Sequence, residues 1–222
     1  MSIQSNLKFI REHIPSEVQL VCVSKFHPID AILEAYACNE RMFGESKVQE
    51  LCAKYEALPK DIEWHFIGHL QTNKIKHIIP FISLIHGVDS LNLLSEIDNQ
   101  AAKIGCKVNC LIQVHIAKEE TKFGFSPDEL LNLFHSGALK KFQNVQLCGF
   151  MGMATFTNDE AQIHLEFSVL KSLFDDVKAT FFANDYNFSK LSMGMSEDYE
   201  IAIEEGSTMI RVGTLIFGDR GY

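Results

Sequence analysis

The sequence predicts an α/β fold: a single (β/α)8 barrel of the TIM type, preceded by an extra N-terminal helix. Three observations carry that expectation. Strand-like apolar runs recur eight times, amphipathic segments separate them, and several runs are apolar at both parities, as strands of a parallel sheet are when both faces are covered. Eight βα units within 222 residues fit a compact barrel, with an open doubly wound sheet as the structural alternative. No break in composition interrupts the repeat, so residues 1–222 are read as one domain.

The opening stretch, MSIQSNLKFIREHIP, has no continuous apolar core behind a basic end and reads as an amphipathic helix rather than a secretory signal. LVCVSK (20–25) is the first strand and PIDAILEAYACN (28–39) the first crossover helix. MFGES (42–46), WHFIG (64–68) and LIHGVD (84–89) are the next strands, followed by the helical SLNLLSEIDNQAAKIG (90–105). VNCLIQVHI (108–116) is strand five. SPDELLNLFHSG (126–137) then opens with a Ser cap, a Pro in the first turn and early acids, the usual start of a helix. VQLCGFMGMA (145–154), KLSMGM (190–195) and MIRVGTLIFG (209–218) complete the eight strands, with a short helix expected to start at Ser196.

Composition bounds the function. Hydrophobic residues make up 46% and charged residues 22%, as in an ordinary globular chain, and the formal net charge of −9 with no basic run argues against nucleic acid or an anionic membrane as partner. No segment is apolar over the ~18 residues that a membrane span needs. The expectation is a cytoplasmic monomer. Six scattered cysteines (22, 38, 52, 106, 110, 148), without a Cys-x-x-Cys pair, read as reduced, mostly buried thiols rather than a disulfide framework.

In a barrel of this kind the reacting groups stand where strands end, at the C-terminal face. Lys25 shares its parity with Val21 and Val23. It therefore either points into the barrel mouth, where desolvation favours the neutral, nucleophilic amine, or snorkels to water. Arg211 shares a face with Met209 and Gly213, which leaves room for a ligand beside the guanidinium. Ser196 is placed either to bind an anion with the amides after it or merely to cap a helix, whose early Glu197 and Asp198 weaken the positive potential there. His65, His69, Gln71, Asn73 and Lys74 crowd the end of strand three, but His65 and His69 straddle a glycine and lack a third ligand at metal spacing, so no metal is expected. GFMGMATF (149–156) offers a flat wall or core packing, and Lys122 faces either the mouth or water.

VSK (23–25), FGES (43–46), WHFIGHLQTNK (64–74), TKFG (121–124) and SMGMSEDYEIAIEEGSTMIRVGTLIFG (192–218) together resemble the pyridoxal phosphate homeostasis protein family, along almost the whole chain. That resemblance implies one barrel of the alanine racemase N-terminal type, with pyridoxal 5′-phosphate bound covalently on Lys25. It puts the phosphate near Ser196, Gly213 and Thr214, and Arg211 against the pyridine nitrogen. The expected cofactor-binding set is Lys25, His65, Lys122, Met195, Ser196, Arg211, Gly213 and Thr214. Two positions depart from the family pattern: His27 stands where a second lysine is common, and Ser46 where an asparagine usually follows FGE.

The implied role is a carrier that holds the cofactor and yields it through transient contacts with apoenzymes, with no catalytic residue assigned. The competing reading is an amino-acid racemase using Lys25 as one base. Two-base racemisation needs a proton donor on the opposite face, and the tyrosines (36, 55, 186, 199, 222) fall in expected helices, loops or the tail. A cofactor-free phosphosugar enzyme would want a carboxylate at a strand end, for which Glu45 and Asp89 are the candidates.

Overall fold

The computed structural model describes residues 2–119 and 121–218. Helix α1 (Ile3–His13) leads into β1 (Gln19–Val23), α2 (Ile29–Ala37), β2 (Met42–Glu45), α3 (Val48–Ala57), β3 (Glu63–Phe66) and a 3-10 turn at Thr72–His77. There follow β4 (Ile82–Val88), α4 (Leu91–Ile104), β5 (Val108–Gln113), α5 (Pro127–Ser136), a 3-10 turn at Ala138–Lys141, β6 (Val145–Met151) and α6 (Glu160–Phe181). The last elements are β7 (Lys190–Ser192), α7 (Tyr199–Glu204), β8 (Met209–Val212) and α8 (Thr214–Phe217). Among the described residues the strands pair in chain order, all parallel, and β8 returns to β1 to close the barrel. The barrel, rather than the open sheet, is therefore the architecture.

Strand residues alternate between two destinations. Val21, Leu84, Leu111, Cys148, Met151 and Met209 form one cluster that fills the lumen. Leu20, Cys22, Phe43, Trp64, Phe66 and Ile85 face the helices on one side of the barrel, and Ile112, Phe150 and Leu191 pack against α5 and α6 on the other. Each Leu, Ile or Phe fully buried on these faces contributes ~1.5–3 kcal/mol, so the apolar shell outweighs any single polar pair. Gly149 breaks the β6 ladder with φ +142, and a Cβ there would lie 1.8 Å from Lys190 O; only glycine lets β6 and β7 approach so closely.

Helix α1 is amphipathic, with Ser2 as N-cap and Leu7 and Ile10 buried. Arg11 anchors it through a bond from Nε to Oε1 of Glu40 at 2.8 Å. Asn6 Nδ2 also donates to Ile216 O at 2.9 Å, so the extra helix fixes α8 from outside.

Several strands stop short of their expected ends, β5 at Gln113, β6 at Met151 and β7 at Ser192, where the chain leaves the ladder to build mouth loops. The largest difference lies in strand eight, expected to reach Gly218. It ends at Val212, and Thr214–Phe217 form α8, whose last turns bond Ile216 N and Phe217 N to Gly213 O at 2.9 Å each. A four-residue apolar run does not distinguish a helical turn from a strand. The helix expected at Ser196 begins instead at Tyr199, because Asp198 Oδ1 accepts the Met195 N–H at 2.6 Å and ties residues 195–198 into a turn.

All six cysteines are free, with Cys22 and Cys110 fully buried and their thiol pKa values pushed well up by burial. No helix among the described residues is long and apolar enough to cross a membrane.

Candidate functional site

At the C-terminal ends of the strands lies a cavity of about 610 Å³. Seven of the eight expected cofactor residues line it: Lys25, Lys122, Met195, Ser196, Arg211, Gly213 and Thr214. The eighth, His65, does not.

Strand β1 ends at Val23, and the chain reverses through a turn in which the His27 N–H donates to Ser24 O at 3.0 Å. Parity sends Val21 into the lumen, and the half-buried Lys25, in the turn, lines the cavity. Ser24, of opposite parity, faces the helical layer, where its hydroxyl donates to Glu45 Oε1 at 2.6 Å. His27 also lines the cavity, its ring stacked on Phe217 at 5.0 Å between centroids.

Arg211 is 4% exposed, and burial draws its pKa down to about 10, against the opposing field of Asp198; it remains a cation at neutral pH. Its Nη1 donates to Ser192 Oγ at 2.6 Å and its Nη2 to Gly152 O at 3.1 Å, leaving other N–H groups of the side chain for the cavity it lines. Behind it the polar chain continues across the lumen, from Ser192 Oγ to His86 Nδ1 at 3.0 Å and from His86 Nε2 to His65 Nδ1 at 3.0 Å. Arginine only donates, so Ser192 Oγ accepts from Nη1, and one hydrogen lies in each of the two contacts beyond it. Both rings are held neutral by burial. Burial pushes the His86 pKa well down and that of His65 to about 3. His65, expected among the cofactor-binding residues, instead ends a chain behind Arg211 and does not line the cavity.

The loops after β7 and β8 meet where Ser196 Oγ accepts the Gly213 N–H at 3.3 Å. A Cβ on Gly213 would crowd Val23 O at 3.1 Å, so glycine lets this cradle lie against β1. Glu160, Glu197 and Asp198 also line the cavity, but the Asp198 carboxylate is engaged by the Met195 N–H and burial raises its pKa.

Lys122 faces the cavity, yet its Nζ donates to Ala154 O at 2.5 Å and pairs with Glu119 at 3.2 Å. Glu119, held at a pKa of about 2 chiefly by the Phe156 N–H, completes a brace between the loops after β5 and β6. His69, Gln71 and Asn73 line a separate cavity of about 370 Å³, where His69 Nδ1 lies 2.7 Å from Asp89 Oδ2. No group of three His, Cys, Asp or Glu among the described residues is arranged to hold a metal ion. Glu45 is fully buried under α3 and paired with Lys54 at 2.8 Å. Neither carboxylate proposed for a phosphosugar enzyme reaches the main cavity.

Sequence reasoning missed Ser192, His86 and Gly152. The parity of His86 with Leu84 marks it as inward-facing, but nothing local shows that it meets a serine from β7.

The chain matches the family described as "Alanine racemase, N-terminal domain" over residues 1–221. It is 41% identical over 207 residues to a "Pyridoxal phosphate homeostasis protein" of Aquifex aeolicus, covering 92% of this chain and 88% of the relative. Among solved structures, PipY of Synechococcus elongatus without PLP superposes with a TM-score of 0.91 at 36% identity, covering 98% of this chain and 100% of that one. The same protein with PLP bound gives 0.87, at the same identity and coverage.

The histidine pair predicts an acid response. The unfolded chain takes up a proton on His65 near pH 6.5, whereas the folded chain resists protonation down to about 3. The associated stability is present above pH ~6.5 and is lost as pH falls through that window, by ~1.4 kcal/mol per pH unit. His65→Gln, whose amide can either donate to or accept from His86, should flatten the urea-midpoint profile between about pH 6 and 4 by that slope. An unchanged profile would contradict the buried neutral assignment.

Proposed function

The chain belongs to the pyridoxal phosphate homeostasis protein family, built on the alanine racemase N-terminal barrel, and from that premise we propose that residues 1–222 form one pyridoxal 5′-phosphate-binding domain. It holds the cofactor covalently on Lys25 and stores, buffers or delivers it, as a cytoplasmic monomer that contacts apoenzymes transiently. The observation that carries this reading is the convergence of Lys25, Arg211, Ser196, Gly213 and Thr214 on one cavity, from the two ends of the chain.

The donor set fits the group. Pyridoxal phosphate presents an aldehyde, a phosphate and a basic ring nitrogen, and the cavity has an amine, a cradle of hydroxyls and amides, and a fixed N–H donor. When bound, the cofactor supplies an aldehyde that condenses reversibly with a primary amine, water leaving. The chain's own residues do the rest. Ser196 and Thr214 offer hydroxyls, and Gly213 lets the backbone come close to an anion. Arg211, a cation with its position fixed by Ser192 and Gly152, donates to the ring nitrogen and leaves it unprotonated. That choice disfavours carbanion chemistry, which a pyridinium paired with a carboxylate would promote. Capture and release, rather than turnover, is the task that suits it. Lys122, engaged by Ala154 O and Glu119, supports the loop wall in this account.

A racemase needs a proton donor facing Lys25, and no tyrosine among the described residues lines the cavity. What favours the carrier over the racemase is the arginine at the ring nitrogen.

Protein incubated with pyridoxal phosphate and reduced with borohydride should carry a stable pyridoxyl label at Lys25 by peptide mapping; an unlabelled Lys25 would sink the proposal. Loss of optical rotation from a free amino acid faster than with cofactor alone would refute the carrier reading, and no such acceleration is expected. Arg211→Glu, by allowing the ring nitrogen to protonate, should shift the bound chromophore's absorption spectrum. A spectrum identical to wild type would count against the ring contact.

A further inference from the structure

We propose that Glu50 and Lys54 are positioning residues for Lys25: from α3 they clamp the turn after β1 in a backbone conformation that Phe26 disfavours, and so aim the lysine amine into the cavity. The inference rests on Lys25 being the cofactor amine.

The turn spans Ser24 to His27, closed by the bond from His27 N to Ser24 O at 3.0 Å, and Phe26 sits at its third position with φ +69. Among the described residues Lys25 is not at positive φ, so the left-handed residue is the third of the turn alone, a position that normally takes glycine. An aromatic side chain there meets the steric penalty of the left-handed region. Something must offset it.

Helix α3 supplies the offset. Glu50 and Lys54 are four residues apart on one helical face. Glu50 Oε1 accepts the Phe26 N–H at 2.6 Å and Lys54 Nζ at 2.7 Å. Lys54 Nζ donates in addition to Ser24 O at 2.8 Å and to Glu45 Oε1 at 2.8 Å, which uses all three of its hydrogens. Ser24 C=O belongs to the peptide unit before Lys25, and Phe26 N–H to the one after it. Pinning both units fixes φ and ψ of Lys25, and with them the direction of its Cα–Cβ bond.

The clamp is built from buried charge, with the Lys54 side chain 7% exposed, Glu45 0% and Glu50 22%. Buried ion pairs of this kind are often no more stabilising than apolar side chains of the same volume. Their value here is geometric: charge-assisted bonds hold two backbone groups at a turn that local preference opposes.

The test uses the full chain and two readouts: the rate of borohydride-trapped pyridoxal phosphate incorporation at Lys25, and amide hydrogen exchange at residue 26 in protein without added cofactor. Glu50→Ala should slow incorporation about five- to thirtyfold and expose the residue 26 amide to exchange. Glu50→Gln keeps the acceptor without its charge and should fall between wild type and Glu50→Ala in both. Glu50→Ala with Phe26→Gly should recover incorporation to within about threefold of wild type, because glycine adopts positive φ unaided.

Incorporation by Glu50→Ala at the wild-type rate would overturn the inference, as would a double variant no faster than Glu50→Ala. If wild type is never labelled at Lys25, the proposed function falls. The exchange readout still decides the clamp: residue 26 equally protected in Glu50→Ala and wild type rejects it.

Discussion

The pairing of β8 with β1 is the contact on which the site depends. It sets Val21 opposite Arg211 and Cys22 opposite Val212, joining the two ends of the chain in one parallel ladder. Lys25 follows the first strand and Gly213 the last, so closing the barrel is also what assembles the cavity. The join is made tight by what is missing at Gly213, whose lack of a side chain lets the last strand end lie against Val23. It is backed from outside by α1, which bonds α8 through Asn6 and Ile216. The N-terminal helix thus supports the same corner of the molecule as the strand pairing.

Two polar assemblies flank that corner, and they solve different problems. The cluster of Glu45, Glu50 and Lys54 lies outside the strand layer and acts on backbone groups through charge. The chain of Arg211, Ser192, His86 and His65 lies inside the lumen, where a second charge would be costly, and it carries the cation's field into neutral rings. In the proposed arrangement the amine and the ring-nitrogen donor are thus both preorganised, one by an outer clamp and the other by an inner relay, before any ligand arrives.

Much of this was legible in the sequence because it is written in local patterns. Eight apolar runs gave the barrel, the parity of Lys25 with the valines before it left two directions open until the family resemblance chose the mouth, and the parity of Arg211 with Gly213 gave the guanidinium beside open space. What was not legible is lateral. Ser192 and His86 belong to strands on different sides of the lumen, and only closure brings them together. His65 was expected among the cofactor-binding residues, but its depth along the strand axis is decided by register, and it stands behind Arg211. The TLIF run at 214–217 became a helical turn because four apolar residues carry no period, and the turn closed by the Met195 N–H and Asp198 delayed α7 past Ser196. At His27, where the family commonly has lysine, the structure shows an imidazole stacked on Phe217, an aromatic contact in place of a second amine.

The most direct measurement is a crystal structure of the protein soaked with pyridoxal 5′-phosphate. The account predicts continuous density from Lys25 Nζ to the cofactor, the ring nitrogen within hydrogen-bond distance of Arg211, and the phosphate against Ser196, Gly213 and Thr214. A cofactor seated elsewhere, or in this cavity with its ring nitrogen turned away from Arg211 and no bond to Lys25, would contradict it.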